Sequence, residues 1–280
     1  MADEPVEERE DLNRPAGVRA DLSGRCALVV GVANRRSIAW AIARRLAECG
    51  VRLVLTYADR RLGENVRELA ASIDDTGYGS GCLVLPCDVT SDAQISAVYR
   101  EVEAQAGRLD YLVHAVAFAP RSELTGRFID TTREGFRVAL DVSVYSLVAL
   151  ARGALPLMRL NGGGSILTLS YLGARRVFPN YNVMGIAKAA LEAQVRYMAV
   201  DLAQDNVRVN AISAGPVRTL AAAGISGFSD ILRVYRERAA LRRNIEAREV
   251  ADAALFLLAS ASGTTGEILT VDAGYTIIGM

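Results

Sequence analysis

Two tyrosines and a lysine in one short stretch carry the strongest chemical signal of the chain. Tyr181 follows Tyr171 by ten residues, and Lys188 follows Tyr181 by seven. Seven residues make almost two helical turns, so a helix beginning near Tyr181 puts the phenol and the ammonium on one face. A phenol titrates near about 10, and a neighbouring ammonium should pull that value down. The chemistry this pair offers is donation of a proton or a hydrogen bond to an oxygen that is gaining negative charge. His114 is the sole histidine and sits in the apolar run Tyr111-Leu112-Val113-His114-Ala115. It reads as structural, which leaves tyrosine and lysine as the acid/base groups. One histidine rules out a multi-histidine metal site in one chain, and no metal is expected. Cys26, Cys49, Cys82 and Cys87 show no CxxC spacing and read as reduced, buried thiols.

These groups need a scaffold, and the rest of the sequence supplies its pattern. The chain has 280 residues, 51% of them hydrophobic, which suits one large α/β domain. Apolar runs at 26–31, 52–57, 82–86, 109–115, 165–170, 208–214 and 268–271 are rich in Val, Leu and Ile, as expected for parallel strands covered on both faces. Helical patterns at 37–49, 62–73, 92–106, 132–159, 181–203 and 247–260 alternate with them. The expected fold is a single Rossmann-type, doubly wound parallel sheet of about seven strands with helices on both faces. Residues 1–22 are charged, carry two prolines and lack periodicity, so a flexible lead-in is expected there, with one catalytic domain over 23–280. Acidic and basic residues balance at 32 each. That balance gives no nucleic-acid footprint. The acidic start is unlike a secretory signal, and no stretch approaches the ~18 uncharged apolar residues of a membrane span. A soluble, cytoplasmic protein is expected.

The first βα turn reads Gly31-Val32-Ala33-Asn34-Arg35-Arg36-Ser37-Ile38. Gly31 closes a strand, and Ser37 and Ile38 open a helix whose free N–H groups suit a pyrophosphate. This is not GxGxxG, and taken alone an ordinary βα turn explains it as well. Asp88 and Val89 follow the third strand; the carboxylate suits an adenine amine and the valine its ring, while a helix cap explains Asp88 equally. After the second strand comes Tyr57-Ala58-Asp59-Arg60-Arg61. An acidic residue there favours the ribose hydroxyl of NADH and an arginine the phosphate of NADPH, and both types are present. NADH is the reading preferred, with NADPH the alternative.

Five passages together resemble the FabI-type enoyl-[acyl-carrier-protein] reductases, a divergent branch of the short-chain dehydrogenase/reductase superfamily. They are GVANRRSIAW from Gly31, VHAVAFAP from Val113, the stretch from LTLSYLGA at Leu167 through VRYMA near Tyr197, RVNAISAGPVRTLAAAGI from Arg208, and VDAGYTIIGM at the end. The resemblance runs from about Leu22 onward. It extends to the departures from ordinary superfamily members. The glycine-rich first turn is missing, Asn-Asn-Ala-Gly after the fourth strand is replaced by His114-Ala115-Val116-Ala117, Asp141 stands for the helix asparagine, and Tyr171 is extra.

The resemblance implies reduction of a trans-2-enoyl thioester on acyl carrier protein by NAD(P)H in bacterial fatty-acid synthesis. Tyr181 would hydrogen-bond the thioester oxygen, Lys188 would hold the nicotinamide ribose, and Tyr171 would line the pocket. Cofactor contacts would come from Gly31, Ser37, Ile38, Ala58, Asp88, Val89, Val116, Ala117, Lys188, Gly215, Pro216, Val217, Thr219, Leu220 and Ala221. Substrate contacts would come from Ala119, Tyr171, Tyr181, Ala221, Ile225 and Phe228. Residues 220–228, small and apolar with two glycines, would move aside for the acyl chain. Family members often carry basic residues after the Gly-Ile of this segment, facing the acidic carrier; here Ser226, Ser229 and Asp230 stand there, with Arg233, Arg236 and Arg238 farther on. A homotetramer and sensitivity to diphenyl ethers such as triclosan are also implied. The competing readings are a carbonyl reductase or alcohol dehydrogenase of the same superfamily, and a non-catalytic nucleotide sensor. Asp141 and the two tyrosines speak against the first, and retention of both Tyr181 and Lys188 against the second.

Overall fold

A computed structural model describes residues 20–74, 81–219 and 227–279. Seven parallel strands form one sheet: β1 (Cys26–Val30), β2 (Arg52–Tyr57), β3 (Leu83–Pro86), β4 (Tyr111–His114), β5 (Gly164–Ser170), β6 (Val207–Ala214) and β7 (Ile268–Val271), in the order β3-β2-β1-β4-β5-β6-β7. The order reverses between β1 and β4, which opens a crevice at the carboxyl ends of those strands.

Period-two alternation sends strand side chains to two cores. Ala27 and Val29 of β1 join Leu53, Leu55, Val113 and Leu167 beneath α1 (Ile38–Ala47), α2 (Arg60–Asp74) and α8 (Ala247–Leu255). Cys26, Leu28 and Val30 join Val54, Leu112 and Ile166 on the other face, beneath α3 (Asp92–Ala106), α5 (Ser146–Leu160) and α6 (Asn182–Asp201). The continuous apolar runs of the sequence are thus strands covered on both sides. Leu22, at the edge of the expected lead-in, donates its N–H to the Cys49 carbonyl and packs on the first core; residues 1–19 lie outside the described residues.

Two elements differ from the sequence expectation. The helix expected over 132–159 is α4 (Arg133–Leu140) and α5 joined by a π-helical turn at Asp141–Tyr145. The stretch 133–160 is long and apolar enough to cross a membrane by length and composition, though Asp141 and Arg152 interrupt it and half of its most apolar window is buried in the fold. The helix α7 (Phe228–Arg238) was not expected; five of its eleven residues are charged and only Leu232 and Tyr235 are buried.

Candidate active site

β5 and α6 set the tyrosines and the lysine. Tyr171 leaves the end of β5, and Tyr181 stands one residue before α6. Asn180 and Asn182 bracket Tyr181 with φ of 61° and 36°, a left-handed backbone that asparagine tolerates best among side-chain-bearing residues. The chain thereby turns sharply on both sides of the phenol. Gly173 leaves room for the ring: a Cβ there would lie 2.5 Å from Tyr181 and 3.0 Å from Tyr171. The two rings meet edge-on, with centroids 5.1 Å apart, and Phe178 packs on Tyr171 at 5.0 Å.

These side chains open on a cavity of about 440 Å³ at the carboxyl ends of β5 and β6. Of the residues singled out in the sequence, Ile38, Ala117, Ala119, Tyr171, Tyr181, Lys188, Gly215, Pro216, Val217, Thr219 and Phe228 line it. Tyr181 and Lys188 share the cavity face of α6, as their spacing predicts. Leu220, Ala221 and Ile225 lie outside the described residues. Gly31, Ser37, Ala58, Asp88, Val89 and Val116 do not line this cavity; they stand at or just beyond the same ends of β1 to β4. The sequence reading missed Phe118, Phe178 and Met184 in the wall. Met184 was recoverable, because it falls between Tyr181 and Lys188 at helical spacing.

The electrostatics correct one expectation. Lys188 does not pull the Tyr181 phenol down. Burial raises that phenol, and the Tyr171 phenol adds to the effect. The Lys188 ammonium instead donates to the Leu169 carbonyl at 2.7 Å. Burial pushes Lys188 down to about 8, opposed by the Glu192 carboxylate one turn on. At neutral pH the site therefore holds a protonated phenol beside an ammonium with N–H donors to spare. The Tyr171 hydroxyl is buried and faces that of Tyr235; burial raises it to about 12, opposed by the Tyr235 hydroxyl.

Glu192, also missed in the sequence, ties the site together. Its carboxylate accepts from Ser170 Oγ at 2.7 Å and from Arg175 Nε at 3.0 Å, which joins α6 to the end of β5 and the turn beyond Tyr171. His114 is structural, as read: fully buried, its Nδ1 lies 2.9 Å from Thr168 Oγ1 and its Nε2 2.8 Å from Ser146 Oγ. Ser146 Oγ also donates to the Val142 carbonyl and Thr168 Oγ1 to the His114 carbonyl, so both hydroxyls tie the ring to the backbone. Burial, with Lys188 nearby, lowers His114 to about 3 and keeps it neutral. The π-helical turn has a local purpose: Ser143 within it accepts from the Phe118 N–H at 3.0 Å, fixing the loop that carries Ala117 and Ala119. Asp141 pairs with Arg137 at 3.7 Å and does not line the cavity.

The dinucleotide end fits its expected ligand. Ser37 caps α1 by accepting from the Trp40 N–H, while the Ile38 and Ala39 N–H groups begin the helix with no carbonyl behind them. Such an end favours a phosphate. Gly31 adopts φ of 104°, and a Cβ there would lie 2.3 Å from the Ala115 carbonyl oxygen, so only glycine lets this turn close against β4. Asp88 accepts from the Thr90 N–H and hydroxyl, and Ser91 is the residue that caps α3. Asp59 caps α2, accepting from the N–H groups of Arg61 and Leu62.

Residues 31–276 match the family model described as Enoyl-(Acyl carrier protein) reductase. The chain belongs to the enoyl-[acyl-carrier-protein] reductase family. It is 52% identical to the Bacillus cereus enoyl-[acyl-carrier-protein] reductase [NADH] FabI, over 92% of this chain and 99% of the relative. The Bacillus subtilis FabI is 51% identical over 91% and 97%. Among solved structures, the B. cereus reductase with NADP+ and indole naphthyridinone superposes with a TM-score of 0.89 at 51% identity, covering 93% of this chain and 100% of the other. The Anaplasma phagocytophilum reductase in complex with NAD gives 0.88 at 44% identity, covering 95% and 99%. These likenesses bear out the FabI-type resemblance, and they extend over the whole sheet.

Proposed function

We infer that this protein reduces the trans-2 double bond of enoyl thioesters carried on acyl carrier protein, with NADH as reductant, in bacterial fatty-acid synthesis. The observation that carries the reading is the protonated Tyr181 phenol and the Lys188 ammonium on one wall of a largely apolar cavity, beside a helix end suited to a pyrophosphate. The bound dinucleotide supplies a hydride from nicotinamide C4. Gly31, Ser37, Ile38 and the 215–219 backbone would hold it, with Lys188 directing its spare donors to the ribose. As the substrate β-carbon gains the hydride, negative charge gathers on the thioester oxygen. The Tyr181 O–H donates to that oxygen, where stabilisation counts most. A solvent proton at the α-carbon completes the saturated thioester. Tyr171, with Phe178 behind it, orients the alkene. Ala119 and Phe228 flank the acyl chain.

The same reading includes a homotetramer, a cytoplasmic location and binding of diphenyl-ether inhibitors against Tyr181. Exposed Tyr197 and Val200 on α6 and exposed Phe256 beyond α8 are the apolar surface that assembly would cover. Asp59, occupied as a helix cap beside exposed Arg60 and Arg61, makes the comparison of NADH with NADPH informative. The test follows loss of reduced-nicotinamide absorbance with both cofactors against crotonyl and dodecenoyl thioesters and a panel of ketones. Oxidation with thioesters and formation of the saturated product support the reading. Oxidation with ketones alone would make it a carbonyl reductase, and binding without turnover a sensor.

A further inference from the structure

Phe228 and Ile231 line the catalytic cavity from the first turns of α7, and Tyr235 follows at helical spacing on the same face. Tyr235 itself does not line the cavity. It is 2% exposed and turns its hydroxyl toward that of Tyr171, the residue at the end of β5 that does. Neither hydroxyl has another hydrogen-bond partner among the described residues. A buried O–H left unpaired is costly, so each phenol is the natural partner of the other. Burial and the neighbouring Tyr171 both hold the Tyr235 phenol well above its ordinary value, so it stays protonated.

The Tyr235 ring is held on its own account. It stacks on Tyr275, with centroids 3.7 Å apart and planes 13° from parallel. Tyr275 belongs to the turn after β7, and the Asp272 carboxylate gathers that turn by accepting from the N–H groups of Gly274, Tyr275 and Thr276 at 2.9, 3.2 and 2.8 Å. The same turn is tied to the chain just beyond α7. There the Leu241 N–H donates to the Ala273 carbonyl at 3.0 Å, and a Cβ on Gly274 would lie 2.8 Å from that of Ala240. Tyr171 has no comparable fixture of its own. Its ring meets Tyr181 edge-on and Phe178 at a tilt, contacts broad in angle that leave the far end of the ring to be set by a directional bond.

We propose that Tyr235 is a positioning residue for the reduction: its hydroxyl, steadied by the stack on Tyr275, fixes Tyr171 against the alkene. This rests on the reductase reading above and extends it to a residue that touches neither substrate nor cofactor. The turn after β7 and the helix α7 thereby become the support of the catalytic wall, and a hydroxyl outside the cavity sets the aim of one inside it.

The test is a double-mutant cycle of Tyr171→Phe and Tyr235→Phe, read as single-turnover hydride transfer from NADH to the N-acetylcysteamine thioester of trans-2-dodecenoic acid. Phenylalanine at 235 keeps the stack on Tyr275 and removes only the hydroxyl. Tyr235→Phe should slow transfer about fivefold, the effect of losing one neutral hydrogen bond, and leave the NADH dissociation constant as in wild type. Added to Tyr171→Phe it should slow transfer no further, because a residue that acts through another has no effect once its target is gone. The same slowing in both backgrounds, or an unchanged rate in Tyr235→Phe, would overturn the proposal. Urea unfolding of the four proteins gives a readout independent of turnover. The double variant should lose less stability than the sum of the single losses, and additive losses would show that the two hydroxyls do not couple and would overturn the proposal. Reduction of no enoyl thioester by the wild type would instead overturn the reductase reading, with the unfolding cycle still deciding the contact.

Discussion

Replacing Lys188 by methionine should stabilise the protein at neutral pH while disabling it. The lysine is buried, and its value falls from 10.5 to about 8. The charged form is therefore less favourable in the folded than in the unfolded chain. Between those two values the unfolded state binds more protons, so this group's contribution to stability rises with pH from the folded value to the unfolded one. Below both values the penalty is fully present. From the two pKa values it amounts to about 3 kcal/mol near about pH 6.5 and about 1 kcal/mol near about pH 9.5. Lys188→Met removes it and also removes the donor to the Leu169 carbonyl, a loss of about 1–2 kcal/mol that does not vary with pH. Relative to wild type, the variant should be more stable at the lower pH, and the difference should shrink by about 2 kcal/mol across this range. Urea unfolding of both proteins at the two pH values reads it directly, because the midpoint shift converts through a shared slope. NADH affinity should fall in the variant at both. A stability difference that stays constant with pH would refute the assignment of Lys188 as a buried charge maintained for function.

Three further outcomes follow from the same structure. Glu192→Gln should cost about 1.5–3 kcal/mol through its bonds to Ser170 and Arg175. It should also lower Lys188 further, moving the alkaline limb of NADH affinity to lower pH; a pH series of NADH dissociation constants checks this. Gly31→Ala should destabilise by about 1–3 kcal/mol and raise the KM for NADH, because its Cβ meets the Ala115 carbonyl in a left-handed turn; thermal unfolding and steady-state kinetics measure both. His114, lowered from 6.5 to about 3, binds protons only in the unfolded chain between those values, so its contribution to stability falls as pH drops through that window. His114→Gln should flatten the acid side of the stability profile, and an unchanged profile would show that the ring protonates in place.

The seven strands were legible because parallel strands covered on both faces are written as unbroken apolar runs, and Tyr181 and Lys188 because helical spacing is a property of sequence. The strand order was not, since it depends on which crossovers pack. Glu192 escaped because a carboxylate in the middle of α6 looks like a solvated charge until Ser170 and Arg175, both distant in sequence, close on it. The direction of the Tyr181 shift escaped for a related reason. Spacing puts the ammonium on the correct face, but the Leu169 carbonyl that turns it aside comes from β5, and burial of the phenol depends on walls from four other segments. The break at Asp141–Tyr145 left no trace in the hydrophobic pattern: Ala139 before it packs with Val183, Met184 and Ala187 of α6, and Leu147 and Leu150 after it pack on the sheet, a change of partner that apolar spacing does not mark.

The central claim is that the Tyr181 hydroxyl stabilises charge on the thioester oxygen. Single-turnover reduction of an enoyl thioester by NADH, compared between wild type and Tyr181→Phe, tests it most directly. Hydride transfer in the variant should be slower by about 100-fold, with NADH binding unchanged. Equal transfer rates in the two proteins would contradict the account.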